Sequence, residues 1–221
     1  MKNKILLLWA LALFIGSCSQ SVVYNLKYDF NLEEVERPNE AAALLGEQKT
    51  SITVEQGYTY SFEDEIVKIL WLPSGSMFEF LLVNKTDSPI KVIWNEAAYI
   101  CEKGNSHKVI HAGIKYSQRN RYKLPSTIEQ KSTFKDFIYP ADYMSFSDEG
   151  WVERPLWSGH WEGKALLPTS QKGGDPQEFL NSAKNYIGKT IKVLLPIRVK
   201  DETYEYTFIF MVRDVNILEE K

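Results

Sequence analysis

The chain has 221 residues, with 26 Lys and Arg against 29 Asp and Glu and a formal net charge of −3. No basic stripe or basic domain accompanies that balance, so nucleic acid is not an expected partner. The length is enough to bury a substantial core, and the composition is that of a mildly acidic, water-exposed body.

Lys2 and Lys4 lead into an apolar run of eleven residues, Ile5 to Ile15. As a helix that run is about 17 Å long, well short of the ~30 Å hydrocarbon core that a spanning helix must cross. Followed by the small residues Gly16 and Ser17, it reads as a removable export signal over residues 1–17. Ile15-Gly16-Ser17-Cys18 then resembles the lipobox of bacterial lipoproteins. That resemblance implies that Cys18 becomes the mature N-terminus and carries a diacylglycerol on its sulfur, with an acyl chain such as palmitate on the freed amine. A thiolate is the nucleophile this attachment requires. Several acyl chains, at about 0.8 kcal/mol per buried methylene, anchor a protein stably. Ser19 and Gln20 follow the cysteine, and the absence of Asp there implies the outer membrane under the usual Gram-negative sorting rule. The alternative is an ordinary secretory signal with an incidental cysteine. With Cys18 lipidated, Cys101 has no disulfide partner and is expected as a small buried hydrophobe rather than a nucleophile.

Residues 18–55 read as a tether and a loosely structured N-terminal segment, charged, interrupted by Pro38, and holding an alanine-leucine stretch worth two helical turns at most. The globular domain is expected over residues 56–221. Strand patterns begin with Tyr58 to Phe62 and Ile66 to Leu72, followed by "SMFEFLLVN" and "IKVIWN" around the turn-rich "NKTDSP". "AAYICE" and "HKVIH" flank "KGNS", whose glycine and asparagine suit a tight hairpin. "FKDFIY" is a shorter candidate.

Asp175, Pro176 and Glu178 mark a helix start, Gly188 marks its end, and Phe179, Leu180, Ala183, Tyr186 and Ile187 make one apolar face. "TIKVLLPIRV" and "YEYTFIFMVRDV" around "KDET" form the strongest hairpin, with alternate residues from Ile191 to Val199 and from Tyr204 to Val212 facing inward. Pro196 donates no ladder bond, so that arm is expected at an edge or bulged. The chain is therefore mainly β: an antiparallel immunoglobulin-like sandwich with one amphipathic helix inserted before the C-terminal hairpin.

The three histidines are His107, His111 and His160. "HKVIH" has metal-binding spacing on a helix, but Val109 and Ile110 favour a strand, where the two imidazoles stand about 13 Å apart. No metal or cofactor is expected. H-E-x-x-H, paired CxxC, G-x-S-x-G, P-loop and GxGxxG motifs are absent.

Two stretches offer binding surfaces. "HAGIKYSQRNRYKLPS" gathers His111, Lys115, Tyr116, Arg119, Asn120, Arg121, Tyr122 and Lys123, which as a recognition loop suits an anionic partner and as plain architecture is a solvated loop. "GWVERPLWSGHWEG" places Trp151, Trp157 and Trp161 close together. Their faces could stack on sugar rings, or fold back as a small satellite core.

The order "FEFLLVNKTDSPIKVIWNEAAYI", "VIHAGIKYSQRN", "GWVERPLW" and "KVLLPIRVKDETYEYTFIFMV" resembles bacterial envelope lipoproteins with a β-sandwich body, over about residues 58 to 213. The resemblance carries no catalytic residue. It implies a non-catalytic, membrane-anchored protein that binds an envelope protein or glycan, or serves a structural role. The competing expectation is a glycan-active hydrolase using carboxylates such as Glu153 or Glu162, which needs two carboxyl groups about 5 to 9.5 Å apart.

Overall fold

The computed structural model describes residues 23–53, 57, 59–144 and 164–218. Cys18 and the residues expected to form an export signal lie outside the described residues, as do Trp151, Glu153, Trp157, His160, Trp161 and Glu162.

Among the described residues the chain is mainly β. The strands are β1 (Val23–Glu36), β2 (Lys49–Ile52), β3 (Tyr60–Glu63), β4 (Val67–Pro73), β5 (Phe78–Asn84), β6 (Ile90–Val92) and β7 (Ala98–Ile100). They continue as β8 (Ser106–Ile110), β9 (Ser126–Ile128), β10 (Thr133–Pro140), β11 (Ser170–Lys172), β12 (Thr190–Val199) and β13 (Glu202–Leu218). All pairings are antiparallel, and one curled sheet runs in the order β11-β1-β13-β12-β7-β8-β10-β5-β4-β3-β2, with β6 and β9 branching from β12.

The curl brings the half of the sheet built on β1 and β13 against the half built on β3, β4 and β5. Phe62 meets Phe208 with ring centroids 5.5 Å apart, Trp71 meets Phe208 at 4.9 Å, and Phe78 meets Phe30 at 5.6 Å. These side chains are almost wholly buried. Truncating one such ring to alanine typically costs about 3 to 5 kcal/mol.

The spacer expected over residues 18–55 is corrected from Val23 onward. β1 spans 14 residues and pairs with β13 through most of its length. Leu26, Tyr28, Phe30 and Leu32 alternate inward and are buried, a period-two pattern that the surrounding charges mask. Register shifts between Asp29 and Phe30 and between Leu32 and Glu34 let Val35 also turn to the core. The domain boundary at residue 56 therefore cuts through one sheet. The alanine-leucine stretch does form a short turn of helix, α1 (Ala42–Leu45).

The C-terminal hairpin follows its pattern closely. Ile191, Val193, Leu195 and Ile197 on β12 are fully buried, as are Tyr206, Phe208, Phe210 and Val212 on β13. Lys200 at the turn takes φ of 53°. Pro196, however, lies on an interior strand. On the outer side, β12 pairs with β7 over Lys192–Leu194 and with β6 over Ile197–Val199. Pro196 occupies the gap between these partners, where no donor is required, and its carbonyl accepts from Ile93 N at 3.0 Å. The expected edge or bulge is thus a change of partner.

The helix α2 (Pro176–Ala183) starts as its sequence dictates, with Asp175 Oδ1 accepting from Gln177 N at 2.8 Å. It continues as a 3-10 turn over Lys184–Tyr186, and Gly188 follows at φ of 80°. Phe179 and Ala183 are buried, while Ile187, expected on the same face, is 42% exposed because the chain has already left helical geometry.

The end of the sheet opposite Val23 is closed by a buried charge. Asp64 accepts from Ile66 N and Val67 N through Oδ1, each at 2.9 Å. Its Oδ2 accepts from Arg37 at 3.1 Å and from the Tyr206 hydroxyl at 3.0 Å. This carboxylate ties β1, the β3–β4 turn and β13 together with every oxygen satisfied.

Candidate binding cavity

At the end where β1 begins, the sheet opens into a cavity of about 610 Å³, within the range that holds a small ligand. Three segments distant in sequence build its walls, and each is positioned by local chemistry. The first is the β7–β8 turn. Gly104 adopts φ of 81° and donates to Cys101 O at 2.8 Å, while Cys101 N donates to Asn105 O at 3.0 Å. Glu102, Lys103 and Asn105 consequently stand at the cavity's rim and Cys101 beneath them, 5% exposed.

The second wall follows β10, where Pro140 leads into a 3-10 turn over Ala141–Tyr143. This turn sets Asp142 Oδ2 2.8 Å from His107 Nδ1 and places the Tyr143 ring 5.1 Å from the imidazole. The third is the strap of residues 164–169. Its backbone is held by Lys164 N donating to Tyr143 O at 2.8 Å, Leu167 N to Gly75 O at 3.0 Å, and Leu26 N to Thr169 O at 2.8 Å. Tyr28 donates to Pro168 O at 2.9 Å, and Tyr139 to Lys164 O at 2.7 Å. Tyr186, from the end of the helical segment, completes the lining.

The electrostatics are mixed, with a cationic excess. Glu102 is the one carboxylate among the described lining residues, against the exposed Lys103 and Lys164. Lys164 Nζ lies 5.1 Å from the Tyr143 ring centre, a cation–π contact. Burial, reinforced by the neighbouring Cys101, Glu102 and Asp142 charges, pushes the Tyr143 phenol up to about 12. It therefore stays a neutral donor across the physiological range. Leu166 and Leu167 supply a buried apolar floor.

Cys101 and His107 both line this cavity, but His107 Nε2 is buried without a described partner, so the imidazole does not hydrogen-bond the thiol. The arrangement can bind an anion and donate hydrogen bonds. The residues described hold no cluster of metal-ligating side chains. His107 and His111 each face a carboxylate of their own: His107 Nδ1 lies 2.8 Å from Asp142 Oδ2, while His111 stacks on Trp94 at 4.1 Å and faces Asp136 Oδ2 at 3.2 Å.

The basic loop after β8 occupies the other side of the molecule, leading to β9, whose partner β6 pairs with the far end of β12. Lys115, Tyr116 and Arg119 surround a 3-10 turn over Tyr116–Gln118, closed by Gln118 N donating to Lys115 O at 2.8 Å. Two members of the expected surface patch are corrected to architecture. His111 is buried in its stack, and Lys123 is 4% exposed, with Nζ donating to Arg119 O at 3.0 Å and Arg121 O at 3.3 Å. Burial, then the charge of Lys108, lowers the Lys123 pKa. Tyr122 and Leu124 instead project outward, at 74% and 78% exposure. Trp151, Trp157 and Trp161 belong to the residues not described.

Sequence reasoning missed the cavity, because its residues converge only through the fold; the isolated His107 was its single local signal. Comparison with known proteins finds no matching family model, curated protein or solved structure.

Proposed function

We propose that this chain is a lipid-anchored, non-catalytic binding protein of the bacterial cell envelope, held in the outer membrane through Cys18. The body recognises an envelope protein or glycan with the loop that carries Lys115, Tyr116 and Arg119. One observation carries this reading: the sheet has two chemically different ends. β1 starts at Val23, five residues after Cys18, so the end with the cavity faces the anchor. The exposed Arg121, Tyr122 and Leu124 lie on the loop at the other side, directed away from the anchor. A cationic loop with an exposed aromatic suits an anionic glycan or an acidic protein surface. We read the curl of the sheet as immunoglobulin-like, with the β1–β13 half and the β3–β5 half as the two layers.

The experiment is a pair of measurements on the full chain. Fractionation places wild-type protein with membranes and Cys18→Ala in the soluble fraction. Titration with a phosphorylated envelope glycan then shows binding that Arg121→Glu and Tyr122→Ala weaken together. Turnover of that glycan, stopped by Glu153→Gln or Glu162→Gln, is the result that replaces this reading with the hydrolase.

A further inference from the structure

We propose that the cavity beside β1 binds the phosphate-bearing headgroup of a membrane lipid. This rests on the reading that Cys18 anchors the chain.

Residues 18–22 span at most about 18 Å when extended. Ser170, which lines the cavity, pairs with Asn25, two residues into β1. It lies roughly 8 Å from Val23 by strand geometry. A chain anchored at Cys18 thus holds this cavity within about 26 Å of the membrane surface, and at less when the linker is not fully extended. The opening therefore meets lipid headgroups more often than any solute of the surrounding fluid.

The lining matches such a headgroup in parts. Lys103 and Lys164 are exposed at the rim beside the single carboxylate Glu102 and are absent from the ion pairs among the described residues; Lys164 keeps its cation–π contact with Tyr143, and the two ammonium groups outnumber the carboxylate where a phosphate would sit. Tyr143, kept neutral by its raised pKa, and Asn105 add uncharged donors for ester or glycerol oxygens. Ala165 and Pro168, less buried than Leu166 and Leu167 beneath them, offer an apolar surface to the first methylenes below the glycerol. The volume of about 610 Å³ suits a headgroup with part of its backbone and is too small for whole acyl chains, which remain in the bilayer. The same phosphate chemistry exists in free glycerol 3-phosphate, and the test separates the two sources.

Residues 19–221 contain every described element and lack Cys18, so this chain reports on the cavity without the anchor. Its sedimentation with phosphatidylcholine vesicles is compared with that on vesicles to which phosphatidylglycerol is added, and calorimetry measures free glycerol 3-phosphate. Binding to the anionic vesicles is expected. Lys103→Glu with Lys164→Glu weakens it at least about tenfold. Lys91→Glu with Lys200→Glu, the same change of charge on exposed lysines at the far end, leaves it within about twofold. Ala165→Trp, which fills the cavity without altering charge, also weakens it. Equal losses from both lysine pairs would show diffuse attraction and overturn the proposal, as would absence of binding to anionic vesicles. Calorimetric binding of glycerol 3-phosphate, lost in the same Lys103 and Lys164 variant while vesicle binding is absent, assigns the cavity to a soluble phosphate and overturns the lipid source. Failure of the anchor itself is read separately, from the mass of the extracted protein.

Discussion

The Tyr206 hydroxyl donates to Asp64 Oδ2 across 3.0 Å, joining residues 142 positions apart in the chain. Arg37 meets the same oxygen from β1's side at 3.1 Å, so one buried carboxylate locks three parts of the sheet. Removing it takes the carboxylate from the Arg37 guanidinium, which keeps only its bonds to Leu45 O and Gly46 O, and the acceptor from the Tyr206 phenol. Asp64→Ala is expected to lower stability by about 3 to 5 kcal/mol, and Tyr206→Phe by about 1.5 to 3 kcal/mol, since it loses one bond to a charged acceptor. Urea denaturation monitored by circular dichroism checks both. A loss below about 1 kcal/mol for Asp64→Ala would show that the network is incidental.

Gly75 owes its identity to close approach. A Cβ at this position would stand 2.6 Å from Thr169 Cγ2 and 3.0 Å from Tyr28 Cδ2. Gly75→Ala must push back the strap of residues 164–169 and is expected to cost about 1 to 3 kcal/mol. Because that strap is a cavity wall, the proposed vesicle binding is expected to fall with it. Thermal melts and vesicle sedimentation on the same preparation test the coupling; unchanged stability would mean that the strap is not packed on Gly75.

Pro196 yields the opposite expectation. It sits where β12 exchanges β7 for β6, so its missing N–H removes no ladder bond. Pro196→Ala should change stability by less than about 1 kcal/mol. A large stabilisation would indicate that a strand partner gains a bond there.

Alkaline titration probes the tyrosines around the cavity. Burial, then the Tyr143 and Asp142 charges, pushes the Tyr139 phenol up to about 12, as burial also does for Tyr143, from an ordinary value of 10.0. A folded-state pKa above the unfolded one contributes stability that is complete below pH 10 and lost as pH rises through about 12. Stability should therefore fall between these limits, with a shallower fall in Tyr143→Phe. Denaturation midpoints measured across that window decide it; an equal slope in the variant would exclude Tyr143 from the linkage.

What the sequence made legible was local. The β12–β13 hairpin followed from strict alternation, the β7–β8 turn from Gly104, and the helix start from Asp175 and Pro176. β1 was hidden because Glu33, Glu34 and Glu36 in its second half, with Pro38 just beyond it, give the segment the look of a spacer, although Leu26, Tyr28, Phe30 and Leu32 already alternate. Beyond the isolated His107, the cavity was not legible. Lys103, Tyr143, Lys164 and Tyr186 come from segments that meet only after the sheet curls, and no spacing in one chain encodes such a meeting. The basic loop was readable as a charge run, but not that Lys123 would turn inward to cap carbonyls of its own loop.

The central claim is that Cys18 carries the lipid that places one end of this sheet at a membrane. Intact-mass spectrometry of the protein extracted from membranes, beside Cys18→Ala, tests it most directly. The account predicts a wild-type mass equal to residues 18–221 plus acyl chains, with the added mass missing in the variant. A mature chain of unmodified mass would contradict it, leaving an exported protein without an anchor and a cavity with no reason to meet lipid.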